Sequence, residues 1–296
     1  MDTALGIGLA VVAALLLAVA SAAEHGAANA ATDVPAGGWT MLRTLLRRPL
    51  WLFGVTSDVS SFAFQAAALA FGSLLLVQPL LVLSLLFALP LNARLTGRRV
   101  SRRDWAWAGA LVAGLVVFDT VGQPTAGAAE APIGDWLPAG IVVVVVVAAC
   151  VTLAATRRGT GRAVPLAVVT GVTYGVTAAM TIGVVGTLDE GLGAVVTSWE
   201  LYVLVVAALT GWWLQQSAYQ AGALTASLPI VMVAEPVVAV GLGVWILDER
   251  IRTGPVGWVV LAIAAATIVI AVVALARSKA ERDEELDAPS PAVVSA

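Results

Sequence analysis

Long apolar runs, each of membrane-spanning length and each ended by a polar break, constrain this chain more than any other feature. A bilayer core about 30 Å thick needs about 20 consecutive apolar residues in a helix. Runs of that length recur from Thr3 to Ala276, and the breaks between them are Arg-rich, Gly/Pro-rich or acidic. Only closed barrels and helices satisfy every backbone group in hydrocarbon, and unbroken apolar runs this long are helical. Nine helices are expected, at about 3–23, 50–70, 73–93, 105–121, 137–155, 163–186, 198–220, 223–247 and 255–276. The division inside 50–93 rests on a tight turn at Phe71, Gly72 and Ser73. Composition agrees: 60% of the 296 residues are hydrophobic and 12% charged, too few charges to cover a soluble domain of this size. Mean hydropathy is +0.95.

The opening run, Thr3 to Ala23, has small residues near Ser21 and Ala22 like those of a signal cleavage site. It lacks Lys and Arg before it and carries Asp2, so it reads as a first transmembrane helix. Basic residues then orient the chain. With the N-terminus outside, 14 of the 16 Lys and Arg residues fall inside, and only Arg250 and Arg252 fall outside. That bias predicts a cytoplasmic C-terminus and an odd number of passes. Residues 24–48 alternate Trp39, Met41, Leu42, Leu45 and Leu46 with Arg43, Arg47 and Arg48, which suits either an interfacial amphipathic helix or a solvated loop. The tail from 277 to 296 is charged, then Pro/Ser/Ala-rich, and is expected to be disordered. Short loops and the preference for Arg over Lys suit a bacterial plasma membrane.

The chain carries an internal repeat. Residues 9–26, LAVVAALLLAVASAAEHG, align without gaps on 166–183, LAVVTGVTYGVTAAMTIG. Ala10, Ala14, Ala18, Ala22 and Gly26 match Ala167, Gly171, Gly175, Ala179 and Gly183. Small residues at every fourth position make a ridge on which membrane helices approach closely. AFQAAAL at 63–69 matches AYQAGAL at 218–224, and Gln78-Pro79 corresponds to Glu235-Pro236 with a two-residue offset. The chain therefore divides into a first half of four helices (1–121), an external loop (122–136), a second half of five helices (137–276) and the tail. Equivalent helices of the halves run in opposite directions, as in the inverted repeats of secondary transporters.

The segment AGALTASLPIVMVAEPVVAVGLGVWILDERI, residues 221–251, resembles the late helix of EamA-type proteins of the drug/metabolite transporter superfamily. Ala226 marks the small-residue entry, Glu235-Pro236-Val237 the central motif and Asp248-Glu249-Arg250 the acidic-Glu-Arg end. The first-half counterpart, VQPLLVLSLLFALPLNARLTGRRVS, lacks the acidic pair. A first half one helix short, and FAFQAAALAFGSLLLVQPL, are similar to the NIPA-like magnesium transporter branch. The resemblance, over about residues 3–276, implies a ten-helix-derived transporter fold. It leaves the substrate open among drugs, amino acids, sugars, nucleotide sugars and cations.

Polar residues inside the spans are the candidate site. Glu235 sits mid-helix beside Pro236, which removes a backbone donor. A carboxyl there is expensive unless protonated, paired or wet, and intramembrane acids mark substrate or proton pathways. Asp58 shares a helix face with Ser61 and Gln65, a stripe that suits a pathway or interhelical hydrogen bonding alike. Gln78, Tyr174 and Gln216 complete the proposed pathway set. Thr170, Thr173, Thr177 and Thr181 beside Tyr174 read more simply as hydroxyls bonded back to their own helix. Trp212, Trp213 and Tyr219 read as an interfacial belt, whereas Gln215, Gln216 and Gln220 put three amides near one helix end that need partners; Trp105, Trp107, Trp136, Trp199 and Trp258 read as anchors. Glu24 and His25 suit a water-exposed interfacial pair.

One cysteine, Cys150, and one histidine, His25, leave no disulfide and no multi-histidine metal centre within the chain. A net charge of −3 gives no basic face for nucleic acid. There is no GxxxxGK[ST], HExxH or Ser-His-Asp pattern, so neither ATP hydrolysis nor another enzymatic activity is expected, and no cofactor. The expected function is secondary transport of a small metabolite, drug or ion by alternating access. Two rivals stand beside it: a Mg²⁺ carrier using oxygens of Glu235, Asp58, Gln65 and Gln78, and a non-transporting subunit that binds lipid or a partner. The expected partners are membrane lipids, the transported solute and a second copy of the chain.

Overall fold

The computed structural model describes residues 2–29, 47–96, 99–128, 131–221 and 224–287. The amphipathic stretch at 30–46 and the end of the tail at 288–296 lie outside them. The described residues are helical except for short connections and one pair of two-residue strands. The helices are α1 (Asp2–Asn29), α2 (Pro49–Phe71), α3 (Leu74–Leu81), α4 (Ser84–Thr96), α5 (Arg102–Gly122), α6 (Ile133–Ala155), α7 (Thr160–Gly186), α8 (Leu192–Thr197), α9 (Trp199–Ala221), α10 (Leu224–Trp245) and α11 (Pro255–Asp287).

Among the described residues seven stretches are long and apolar enough to cross a membrane: α1, α3 with α4, α5, α6, α7, α10 and α11. The chain is an all-helical, multi-pass membrane protein. Its exposed surface bears this out. On α6, Ile141, Val144 and Val145 are about three-fifths exposed, a surface that suits hydrocarbon and not water. Helices α2 and α9 have the length, at 23 residues each, with a more polar composition.

Two local packing patterns recur. Helix α1 packs on α2 and on α3 and α4, and α7 packs on α9 and α10. The small residues explain both. Ala10, Ala14, Ala18 and Ala22 are fully or nearly fully buried on α1, and Ala167 and Ala179 on α7. A Cβ on Gly171 would overlap the Ala234 side chain, and one on Gly175 would lie 2.7 Å from Val238 Cβ and 2.9 Å from the Glu235 carbonyl. Glycine is what lets α10 lie against α7. Gly183 serves differently, making room for the Glu200 side chain of α9.

Three features depart from the expected elements. The third span is not one helix but two, broken at Val82 and Leu83. Pro79 withholds a backbone donor, and the amides of Leu83 and Leu85 turn to carbonyls three residues back, at 3.0 Å each. The loop after α5 and the loop after α10 form a clasp. Strands β1 (Pro124–Thr125) and β2 (Arg250–Ile251) pair antiparallel, the Ala128 amide donates to the Leu247 carbonyl at 2.7 Å, and that of Arg252 to Gly122 at 2.9 Å. Gly127 passes so close to the Leu247 carbonyl that a Cβ has no room. Finally, α11 continues past residue 276 to Asp287, so the first part of the supposed tail is helix. Two side chains anchor it: Lys279 Nζ donates to Ser21 Oγ at 2.7 Å, and Arg282 pairs with Asp104 at 3.1 Å.

Candidate functional site

The site begins with the contact between α3 and α10. Leu74 Cβ lies 3.3 Å from the place a Gly243 Cβ would take, which sets the two helices against each other at the clasped end. Leu74, Val77 and Leu81 then pack among Ala239, Leu242 and Ile246. Further along, Val82, Leu83 and Leu85 meet Leu228, Met232 and Val233. The helices are therefore antiparallel. Val82 is about two turns, or ~12 Å, from Leu74, and Glu235 is as far from Gly243. Glu235 thus lies level with the break between α3 and α4, near the middle of the span.

At that level Glu235 is half-buried, and among the described residues no side chain bonds to its carboxyl. Its backbone lies against Gly171 and Gly175 of α7. Pro236 has no N–H to offer the Met232 carbonyl. Gln78 is one turn from Leu74 on the face of α3 that meets α10, and it is buried with its Nε2 unpartnered. An unpaired buried amide costs on the order of 1–3 kcal/mol. The Glu-Pro and Gln-Pro pairs thus stand on facing helices, about one turn apart in depth. Ser227, earlier on α10, is a second buried group whose oxygen has no partner.

The other expected residues separate by environment. Asp58 lies between Gly54 and Ser61 on α2, one turn from each. Those neighbours are buried, whereas Asp58 itself is exposed. Ser61 has left the stripe for packing, its hydroxyl donating to the Ala13 carbonyl of α1 at 2.8 Å. Gln65 is half-buried. Tyr174 donates its hydroxyl to Gln215 Oε1 at 2.9 Å, tying α7 to α9. The side chain of Gln216 lies outside the described residues, as do those of Glu24 and His25. The threonines of α7 bond back to carbonyls one turn earlier, Thr170 to Leu166 at 2.9 Å and Thr181 to Thr177 at 2.8 Å, so that stripe is structural. Trp136 and Trp199 meet edge to face with centroids 6.0 Å apart and join the starts of α6 and α9.

Among the described residues no three His, Cys, Asp or Glu side chains gather where they could hold a metal ion. The spans also carry no basic residue from 49 to 93, from 104 to 156, from 163 to 249 or from 253 to 276. Their charges are acidic.

One residue had appeared in the sequence only as the end of a motif. Glu249 is almost fully buried in the clasp, and its two oxygens accept from the backbone amides of Leu74, at 2.7 Å, and Leu75, at 3.0 Å. Ser73 completes the cap by accepting from Leu76 at 3.3 Å. A carboxylate on the first turn of a helix satisfies its open donors and meets the positive end of its dipole. Burial nevertheless pushes the Glu249 carboxyl above its ordinary value, and the two amide bonds pull it back only in part.

A protein of Corynebacterium glutamicum, described as uncharacterized, is 33% identical to this chain over 238 residues, which are 80% of the chain and 82% of that protein. The chain belongs to the same family. The match takes in most of the transmembrane region of this family member. No family model matches the sequence, and no solved structure matches it.

Proposed function

We propose that this protein is a secondary transporter of the drug/metabolite type, with nine passes arranged as two inverted halves and its transport site at the level of Glu235. The observation that carries this reading is Glu235 itself: an unpartnered carboxyl at mid-span, beside a proline and level with a broken helix. Transporters place discontinuous helices and unsatisfied groups where solute binds near the midplane. An acid left without a partner at that depth is otherwise a cost with no return.

The two halves are supported by the matching ridges on α1 and α7 and by their matching neighbours. If α3 and α4 form one pass, with α2 and α9 also crossing, the passes number nine. The basic residues support an N-terminus outside and a C-terminus in the cytoplasm, in a plasma membrane. Glu235 and Asp58 titrate or bind a cation during alternating access, with Gln78 as a hydrogen-bond donor to the solute. The acidic, base-free interior favours a cationic or proton-coupled solute over an anion.

A thermal-shift screen of purified protein against organic cations, amino acids, sugars and Mg²⁺ tests the reading. A transporter of this kind is stabilised by its solute, and Glu235→Gln loses that stabilisation. Stabilisation by Mg²⁺ alone favours the cation carrier. A solute that stabilises wild type and Glu235→Gln equally places binding elsewhere.

A further inference from the structure

The clasped end holds a device that the transport site does not need. Glu249 leaves α10 through the left-handed residue Asp248, with φ of +53°, which turns the chain back so that the carboxylate reaches α3. Gly243, two residues from the end of α10, is where the carboxylate passes: a Cβ there would lie 2.7 Å from Glu249 Oε2. Asp248 and Arg250 flank Glu249 but pair with each other at 2.9 Å on the surface, leaving its carboxylate to the amides of α3. The bonds are the polar link between α3, in the first half, and the α10–β2 turn, in the second. The same end carries the β1–β2 pair and the apolar cluster in which α1, α2, α3, α7 and α10 meet. Beyond it the third apolar cluster contains only second-half residues, from α6, α7, α9 and α10, while the second joins α1, α4 and α5 to α10 and α11.

We propose that Glu249 is the latch of a gate: its carboxylate, seated on the amino end of α3, holds the clasped end closed, and its release from Leu74 and Leu75 opens that end during transport. The inference rests on the transport reading for its purpose, but the latch is testable without transport. Two hydrogen bonds accepted by one carboxylate suit a reversible closure. They are strong while aligned, because one partner is charged, and both fail together when α3 and the turn shift apart. Alternating access requires such an end to part, since the site at Glu235 lies about two turns beneath it. Glu249 is a positioning residue in this account and touches no solute.

The test uses a cysteine at Leu247, which is buried within the clasp, in a Cys150→Ser background. Its labelling rate by a fluorescent maleimide is measured on full-length protein in nanodiscs. A second cysteine at Ala276, buried among α4, α5 and α11, reports on general loosening. Glu249→Gln keeps the shape but sets an amide donor against a backbone amide. It is expected to raise labelling at Leu247→Cys at least tenfold and leave Ala276→Cys within twofold. Gly243→Ala keeps the carboxylate and displaces it, and is expected to do the same if Glu249→Gln fails to fold. Unchanged labelling at Leu247→Cys in a folded variant overturns the latch. An equal rise at both positions overturns it too, because Glu249 would then be a fixed structural cap. A selective rise in a protein that moves no solute would uphold the latch and sink the transport reading instead.

Discussion

Adding one methyl group to the ridge of α7 should separate two helices that nothing else holds so close. At Gly175 a new Cβ meets Val238 Cβ at 2.7 Å, Val238 Cγ1 at 2.8 Å and the Glu235 carbonyl at 2.9 Å, where ordinary contact begins near 3.4 Å. Rotating Val238 moves Cγ1 but neither its Cβ nor the carbonyl, so α7 and α10 must part. At Gly171 the obstruction is harder still, because Ala234 has no side-chain freedom and the Glu235 amide lies 3.1 Å away. Overpacking of this kind costs about 1–3 kcal/mol. We expect Gly175→Ala to fall within that range and Gly171→Ala at its upper end. Gly109→Ala and Gly140→Ala are the controls, since a Cβ at either meets nothing within 4 Å. In membrane helices, where packing and not hydrophobicity drives association, lost closeness is lost stability. Thermal melting of purified protein, followed by aggregation or tryptophan fluorescence, reads the difference. Leucine should sharpen it: Gly175→Leu fails to assemble, while Val176→Leu, on a half-buried neighbour, is tolerated. If Gly171→Ala and Gly175→Ala melt with Gly109→Ala and Gly140→Ala, the close packing of α7 on α10 is refuted.

The other predictions concern the two ends of the molecule. Asp104→Asn leaves Arg282 without its 3.1 Å partner and should destabilise by about 1–3 kcal/mol, whereas Asp104→Asn with Arg282→Met costs less than the sum, as a double-mutant cycle in thermal or denaturant melting would show. Reporter fusions should find the N-terminus outside and the C-terminus inside. Both ends on one side would remove the odd pass count and with it the inversion of the halves.

Much of the fold was legible because hydrocarbon leaves a chain few choices. Apolar length located α1, α5, α6, α7 and α10 to within a few residues, and the four-residue spacing of Ala10 to Ala22 and Ala167 to Ala179 located buried faces. What escaped was decided by long-range partners. The extension of α11 depends on Lys279 finding Ser21 and Arg282 finding Asp104, pairs that are remote in sequence. The clasp depends on Gly127 passing beneath Leu247. The break at Val82 had a local signal in Pro79, but a proline in a membrane helix bends as often as it breaks.

The candidate site was legible in part for a similar reason. Burial cost singles out Glu235 and Asp58 from composition alone, whereas environment had to separate Asp58, which is exposed, from Ser61, which is spent on α1. Spacing placed the two on one face but carries no information on what faces them. Glu249 read as a loop acid because its partners are backbone amides, which no side-chain pattern announces.

Whether the unpartnered acid at mid-span governs the movement of solute is decided by uphill uptake into proteoliposomes across a range of pH, using the solute that the thermal-shift screen identifies, with wild type beside Glu235→Gln. Glutamine keeps the shape of the protonated acid and removes its proton. Wild type is expected to accumulate solute in a pH-dependent way, and Glu235→Gln to accumulate none at any pH, with solute exchange retained at most. Full accumulation by Glu235→Gln, with the pH profile of wild type, would contradict that role.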